Sequence, residues 1–569
     1  LTTNWTILAF LGYILAVYAL AAIAHHLSKG KSFIKEYFLG SRSLGPWTLA
    51  LTLAATSASG GTFTGFPSLI YTYGWVLALW IAGYMVVPLC VMGLLGKRIN
   101  QVARKSDAVT FPDVFRDRYE SPWLGTLTCL LLIFFLAVYL IPQFKAGGVL
   151  MQTLFNEVPA FQRFSAIFDG LAENLDGISS GYLAGLAIFT VSVVLYTAYG
   201  GFRAVVLTDV MQGLIMGLGI TILLPLTLYA AYVYLDPVAS SNPRERVQSA
   251  ATSGKESRAE EPVRFGQLIE GLEKVNGRLA QDDPAALTAP GQKKVETPEG
   301  IRFDSFLPLG MAISFFFFWP ISGTGQAPNM LRLMAFRDTK TLARSIFTVT
   351  IFFGTIYLPL VVIFVAAKTL PLEIEQPDQV MPAITLFVAP PLLAGLLIAA
   401  PYAAIMSTVD SFLLMISSSL VCDLYQRSIN PDVSEKAMKR ISLTTTLLVG
   451  FVVMIFAVNP PRFLQDLIVF GSAGQSATFL GAMAMTLYWP RANAFGTACA
   501  MIAGFSAVGG MYLIGRMQTG VFEPWTPFDL HPFLWGLFGS LLGGILGSLA
   551  TAPPSRELML RYFYREKRQ

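Results

Sequence analysis

Charge is what this chain lacks. Lys, Arg, Asp and Glu make up only 13% of its 569 residues, about half the share in a soluble domain. In their place stand a 54% hydrophobic content and a mean hydropathy of +0.58, a balance that excludes a single water-soluble core. Histidine is almost absent: His25, His26 and His531 are the only three, and neighbours on a helix point to different faces, so no histidine cluster for a metal or for catalysis is offered. Cys90, Cys129, Cys422 and Cys499 all lie inside apolar runs without a short paired spacing, which excludes a disulfide framework or a zinc ribbon. The motifs H-E-x-x-H and G-x-x-x-x-G-K are missing, as is a TVGYG filter, which removes the recognisable metalloprotease, nucleotide-hydrolase and potassium-channel readings. The net charge of +5 sits in short segments beside apolar runs, where topology explains it and nucleic acid does not.

Long hydrophobic runs are abundant. A spanning helix needs about 20 mostly apolar residues, and thirteen such stretches are read near 5–27, 46–70, 75–96, 123–155, 182–200, 205–235, 304–328, 342–367, 385–424, 438–458, 463–488, 492–515 and 532–550. The first is too long for a signal-peptide core and has no basic segment before it, so it reads as a retained helix. Alternate short connections, with the tail 551–569, hold 25 lysines and arginines, among them Arg98, Arg203, Arg332 and Arg427; the opposite short loops hold Arg163, Lys368, Arg462 and Arg516. The positive-inside rule then places the N-terminus outside and the C-terminus in the cytoplasm of a multi-pass protein of the plasma (inner) membrane. Residues 236–303 form a nearly neutral insertion expected to be extracellular and mobile, with one amphipathic helix near Phe265 to Leu279.

Two spans are interrupted in mid-membrane. The second contains Ser57, Ser59, Gly60, Gly61 and Gly65; the seventh contains Pro320, Gly323, Gly325 and Pro328. Unwound backbone is tolerated in a bilayer only where protein or a wet cavity satisfies it. By the assigned topology, spans two and seven run in opposite directions and hold matching places in two five-helix units, the pattern of an inverted-repeat secondary transporter with its site at the breaks.

A small hard cation is held by oxygens. In span nine, AAPYAAIMSTVDSFLLMISSSL, the Ala404 carbonyl and the Ser407 and Thr408 hydroxyls stand on one face of one turn. Carbonyls of Ala55 and Ala58 would complete a five-oxygen cage. The competing reading is that each hydroxyl bonds back to a carbonyl one turn earlier.

Several segments resemble the sodium/solute symporter family: EYFLGSRSLGPWTLALTLAAT, LYTAYGGFRAVVLTDVMQGLIM, GQAPNMLRLMAFRDTK and AAIMSTVDSFLLMISSSLVCDLY, in matching order between about residues 35 and 495. YTAYGGFRA with TDVMQ, IPQF and YWPRANAFG are most similar to its pantothenate permease branch. The resemblance implies an all-α polytopic membrane protein with a LeuT-like core of five plus five helices, spans two to six (46–235) and seven to eleven (304–488). The first helix and the last two (492–550) are then peripheral. It further implies sodium-coupled symport of a small organic solute by alternating access, with Na+ as coupling ion and no other cofactor. The family's sodium ligands fall on Ala55, Ala58, Ala404, Ser407 and Thr408, and its acidic residue near the cation path on Asp209. Three departures stand out: Ser57 replaces an acid of the proline permeases, Lys145 replaces an apolar residue of the pantothenate branch, and the 236–303 insertion is longer than usual.

Ionisable residues at membrane depth normally face a partner or a cavity. Asp209 reads either as an interfacial acid or as part of the cation path, and Asp410 as steering the cation or pairing with a neighbouring helix. Lys145, beside Pro142 and Gln143, would offer an ammonium to a carboxylate solute, with Ser57, Gln143, Gln326, Asn329 and Gln475 lining the site; snorkelling, or a pair with Glu157, is the competing account. Pantothenate, a short monocarboxylate and a proline-like amino acid are the candidate solutes in that order, and a transporter-like solute sensor is the alternative function.

Overall fold

The computed structural model describes residues 2–27, 44–175, 177–235, 264–288, 290–297, 300–427, 429–459 and 464–563. Arg462 and residues 236–263, named above, lie outside them, as do Lys29, Lys31, Lys35 and Arg42 of the first basic connection. Helices occupy every one of the thirteen apolar stretches. They are α1 (Thr2–Leu27), α2a (Pro46–Ser57) with α2b (Phe66–Tyr73), α3 (77–106), α4 (Pro122–Phe155), α5 (Ser180–Phe202) and α6 (Ala204–Tyr234). The second half holds α7a (Leu309–Gly325) with α7b (Ala327–Met334), α8 (Thr339–Ala367), α9 (Pro391–Ser418), α10 (Glu435–Phe456), α11 (Leu464–Tyr488), α12 (Ala494–Thr519) and α13 (Pro532–Ala550).

Eleven helices among the described residues are long and apolar enough to cross a membrane. The shortfall from thirteen lies in the two broken spans: α2b is joined to α3 by a single tight turn at Gly74–Val76, so that 61–106 counts once, and α7a is only 17 residues long. The stretch expected at 385–424 needs a correction. Its first residues belong to a separate helix, Val380–Val388, and Pro390 in extended conformation starts α9 afresh, because proline fits a helix start but not its interior. The expected boundary between spans five and six is a single residue, Gly201, at φ 66°, a conformation that a side chain would disfavour.

The second half repeats the contacts of the first. Helix α2 packs on α8, where Thr62 and Tyr357 share a 2.9 Å hydroxyl contact, and α7 packs on α3, where Trp80 stacks on Phe315 at 3.8 Å. Helix α2 meets α6 through Thr52 and Asp209, and α7 meets α11 through Ser476, which donates to the Ser322 carbonyl at 3.0 Å. Likewise α4 meets α11 at Tyr139 and Gly471, and α9 meets α6 at Ala400 and Gly219. Exchanging each helix for the one five places on maps every pair onto another observed pair, as two inverted repeats require.

At one end of the bundle, helix Phe265–Asp282 and the antiparallel hairpin β1 (Gln292–Thr297) and β2 (Gly300–Ser305) cover the helix termini. This end is the hairpin face. The opposite end carries Arg98, Arg104 and Lys105 and is the basic face.

Candidate functional site

The two breaks have local causes. In α2 the Ser59 hydroxyl accepts from Gly61 N at 3.1 Å, a side-chain bond that competes with the helical ladder, and Ala58 turns out of the helix at φ −82°, ψ 89°. The Gly60 N–H donates to Gln143 Oε1 at 2.8 Å instead of to Thr56 four residues back. In α7, Gln326 is extended and Pro328 opens α7b, while Asn329 Nδ2 reaches back 2.9 Å to the Gly323 carbonyl that the break releases.

The carbonyls freed in α2 are those that α9 meets. Ser407 Oγ donates to the Ala55 carbonyl at 2.8 Å and lies 3.0 Å from that of Ala404; Thr408 Oγ1 is 3.4 Å from the Thr56 carbonyl and 3.2 Å from that of Ala404. Each hydroxyl thus lies within hydrogen-bond distance of the Ala404 carbonyl one turn back and also of a carbonyl of α2. All of them are buried, as is Ala58. Thr56 was not among the expected residues. The sequence shows only a glycine four residues on, in a break; that its N–H goes to Gln143 and leaves the Thr56 carbonyl to α9 is a tertiary contact.

Beside this oxygen cluster lies a set of neutral polar groups from four helices. Ser57 donates to Asn329 Oδ1 at 3.3 Å, joining the two breaks. Gln326 Nε2 donates to Ser472 at 3.2 Å. Gln143 is fully buried, and its Nε2 has no hydrogen-bond partner. Gln475 is fully buried with neither amide atom partnered. At about 100° per residue, Gln475 falls between the glycines of α11 that meet α4, Gly471 and Gly474, and the serines that meet α7, Ser472 and Ser476. It thus lies on the side of α11 between α4 and α7. Buried amides without partners are rare in proteins and mark places where something else supplies the bond.

The charged residues are arranged differently from expectation. Lys145 is not among these groups. It stands about 200° round α4 from Gln143, and its ammonium forms a buried ion pair with Asp378 at 2.7 Å, neither snorkelling nor pairing with Glu157. Asp378 lies on the turn Pro377–Gln379 before helix Val380–Val388. Asp209 is neither interfacial nor free: it pairs with Arg332 at 3.1 Å and accepts from Thr52. Arg332, counted above with the basic loops, is 2% exposed, and it also donates to Ser411 at 2.7 Å. Sequence reasoning missed it because α7b looked like a connection. Asp410, fully buried, accepts hydrogen bonds from Tyr196 of α5 and from Ser411.

Known proteins are similar to this chain in sequence and in fold. The sequence profile of the sodium:solute symporter family matches residues 37–157 and 170–504. The chain is 31% identical over 552 residues to a sodium/pantothenate symporter of Haemophilus influenzae, covering 95% of this chain and 96% of that one. It is 30% identical over 568 residues to the sodium/pantothenate symporter of Escherichia coli, covering 97% and 98%. The structure of a Na+-coupled sialic acid symporter, in a substrate-bound outward-open state, superposes with a TM-score of 0.66 at 17% identity over 97% of this chain and 99% of the other, which shows a common fold. The fold is that of the LeuT-like sodium-coupled symporters, the protein is a multi-pass membrane protein, and the chain belongs to the sodium:solute symporter family.

Proposed function

We propose that this sodium-coupled symporter imports pantothenate, or a carboxylate built like it, across the plasma (inner) membrane by alternating access, with the N-terminus and the hairpin face outside and the C-terminus in the cytoplasm. The orientation rests on the lysine and arginine asymmetry of the short connections. In this reading the sodium ligands are the Ala55, Ala58 and Ala404 carbonyls and the Ser407 and Thr408 hydroxyls, with the Thr56 carbonyl added. The observation that carries it is the meeting of those two hydroxyls with the carbonyls released where α2 stops.

The solute assignment has two supports. Relatives named sodium/pantothenate symporters match nearly the whole chain. Where the two breaks meet α4 and α11 stand the amides and hydroxyls of Ser57, Gln143, Gln326, Asn329 and Gln475, which suit a solute with its own amide and hydroxyls. Lys145 is left out of this set. A carboxylate bound there has its charge offset by the sodium beside it and by N–H groups at the start of a half-helix.

Charge balance then sets the energetics. One sodium with one monoanion is electroneutral, so a tenfold sodium gradient, worth about 1.4 kcal/mol, sustains about a tenfold accumulation. A second sodium would add about 2.3 kcal/mol per 100 mV.

The test is uptake of labelled pantothenate, pyruvate, acetate and proline into liposomes holding the purified protein, with a sodium gradient, with potassium in its place, and with Ser407→Ala/Thr408→Ala. Sodium-driven accumulation of pantothenate that the double variant loses is the expected result. Accumulation of another compound alone would reassign the solute. Accumulation unchanged without sodium and in the variant would remove the cation site.

A further inference from the structure

Helix Phe265–Asp282 is fastened to the hairpin face on two sides. Towards α6, Leu268, Leu272, Val275 and Leu279 form its apolar stripe, Gly271 lies against the Leu228 carbonyl, and the Lys274 ammonium sits 4.2 Å over the Tyr232 ring. Towards the broken helix, Asn276 Oδ1 accepts from Trp75 Nε1 at 3.0 Å, in the turn that follows α2b. Just beyond the helix, Asp283 pairs at 2.9 Å with Lys368 at the end of α8. That same ammonium donates to the Tyr71 and Thr72 carbonyls, at 3.2 and 3.0 Å, and so caps α2b.

The next turn closes the join. Gly74 has φ 78°, and a Cβ there would stand 2.3 Å from the Ala286 carbonyl, so the turn after α2b and residues 284–287 fit only without a side chain. Tyr73 stacks on Phe306 at 3.8 Å. The hairpin is tied in turn to the connection between α12 and α13, through Lys293 and Glu523.

Alternating access moves one group of helices against another around the site. An element bonded to α6 on one side and to α2b and α8 on the other resists any such motion that opens the hairpin face. We infer that residues 265–287 are a strap across this face that holds α2b to α6 and sets how readily the solute path opens on that side. The inference uses the alternating-access part of the functional reading and is independent of which solute is carried.

Two of its anchors on the α2b side, Asn276 and Asp283, are polar, partly exposed and outside the transport site, so they can be cut without touching it. Asp283→Asn with Asn276→Ala removes both. The reporter is Ser68→Cys, a near-isosteric change in α2b at a hydroxyl that is 1% exposed and unpartnered. The readout is its rate of labelling by a membrane-impermeant maleimide in the full-length protein in liposomes, relative to the same protein with Ser68 intact. Arg278→Ala, which breaks an exposed pair with Asp282 on the same helix, is the control.

The strap predicts labelling at least about fivefold faster in the double variant and unchanged in the control, with the half-saturating solute concentration falling as the open state becomes more populated. An unchanged or slower labelling rate in a double variant that still transports overturns the strap; should the double variant not assemble, Asp283→Asn alone is read in the same way. Because labelling needs no solute, faster labelling without pantothenate uptake would keep the strap and discard the solute assignment.

Discussion

The guanidinium of Arg332 and the carboxylate of Asp209 meet at 3.1 Å in the interior, with the two side chains 2% and 0% exposed. Through Thr52 and Ser411 the pair reaches α2a and α9, so one ionic knot joins four helices beneath the two breaks. Removing one member leaves a buried charge without its partner, which typically costs about 3–5 kcal/mol, whereas removing both avoids that penalty. Arg332→Gln and Asp209→Asn should each lower the thermal unfolding temperature in detergent by more than the double variant does. Equal losses in all three would mean that the two charges are not coupled.

Ser407 is the residue on which the sodium assignment turns. Its hydroxyl touches the Ala55 carbonyl of the broken helix, while Ser417, two turns and more along the same helix region, bonds only to the Ser442 carbonyl. Ser407→Ala should raise the sodium concentration that half-saturates uptake about tenfold, the equivalent of about 1.4 kcal/mol, and Ser417→Ala should leave it in place. Sodium titrations of uptake at fixed solute decide this. A shift of the same size in both variants would point to helix packing and not to a ligand.

Gln475 makes an opposite pair of demands on stability and function. Its amide is buried with neither end bonded, a situation that costs about 1–3 kcal/mol. Gln475→Leu should therefore stabilise the protein against thermal unfolding while raising the KM for solute and leaving sodium half-saturation unaltered. Loss of stability together with an unchanged KM would remove Gln475 from the solute site.

Asp117 supplies a pH dependence on the basic face, away from the transport path. Burial, with the charge of Asp113 beside it, pushes its carboxyl up to about 6. Between the unfolded value near 4 and the folded value, the folded chain holds the extra proton, so stability falls as pH rises through this window. The penalty is complete above about 6 and absent below about 4. Asp117→Asn should accordingly unfold at a higher temperature than the parent at pH 7, with the difference closing towards pH 4. A constant difference across that range would assign the effect to packing.

The number and order of the apolar stretches, the two breaks and the hydroxyl pair of α9 are legible in the chain, because each is written in local terms. Hydropathy over about 20 residues specifies a span, serines and glycines interrupt a helix where they stand, and three- and four-residue spacing puts Ala404, Ser407 and Thr408 on one face. The Thr56 carbonyl, by contrast, is left to α9 only because Gly60 donates to Gln143 on another helix, a tertiary contact. The charges were decided only by the tertiary structure. Lys145 with Asp378 and Arg332 with Asp209 are 233 and 123 residues apart in the chain, and which cation takes which carboxylate depends on helices brought together by packing. For that reason Lys145 read as a solute ligand and Arg332 as a loop cation. A charge in a low-dielectric interior takes the nearest buried partner, and nearness is a property of the fold.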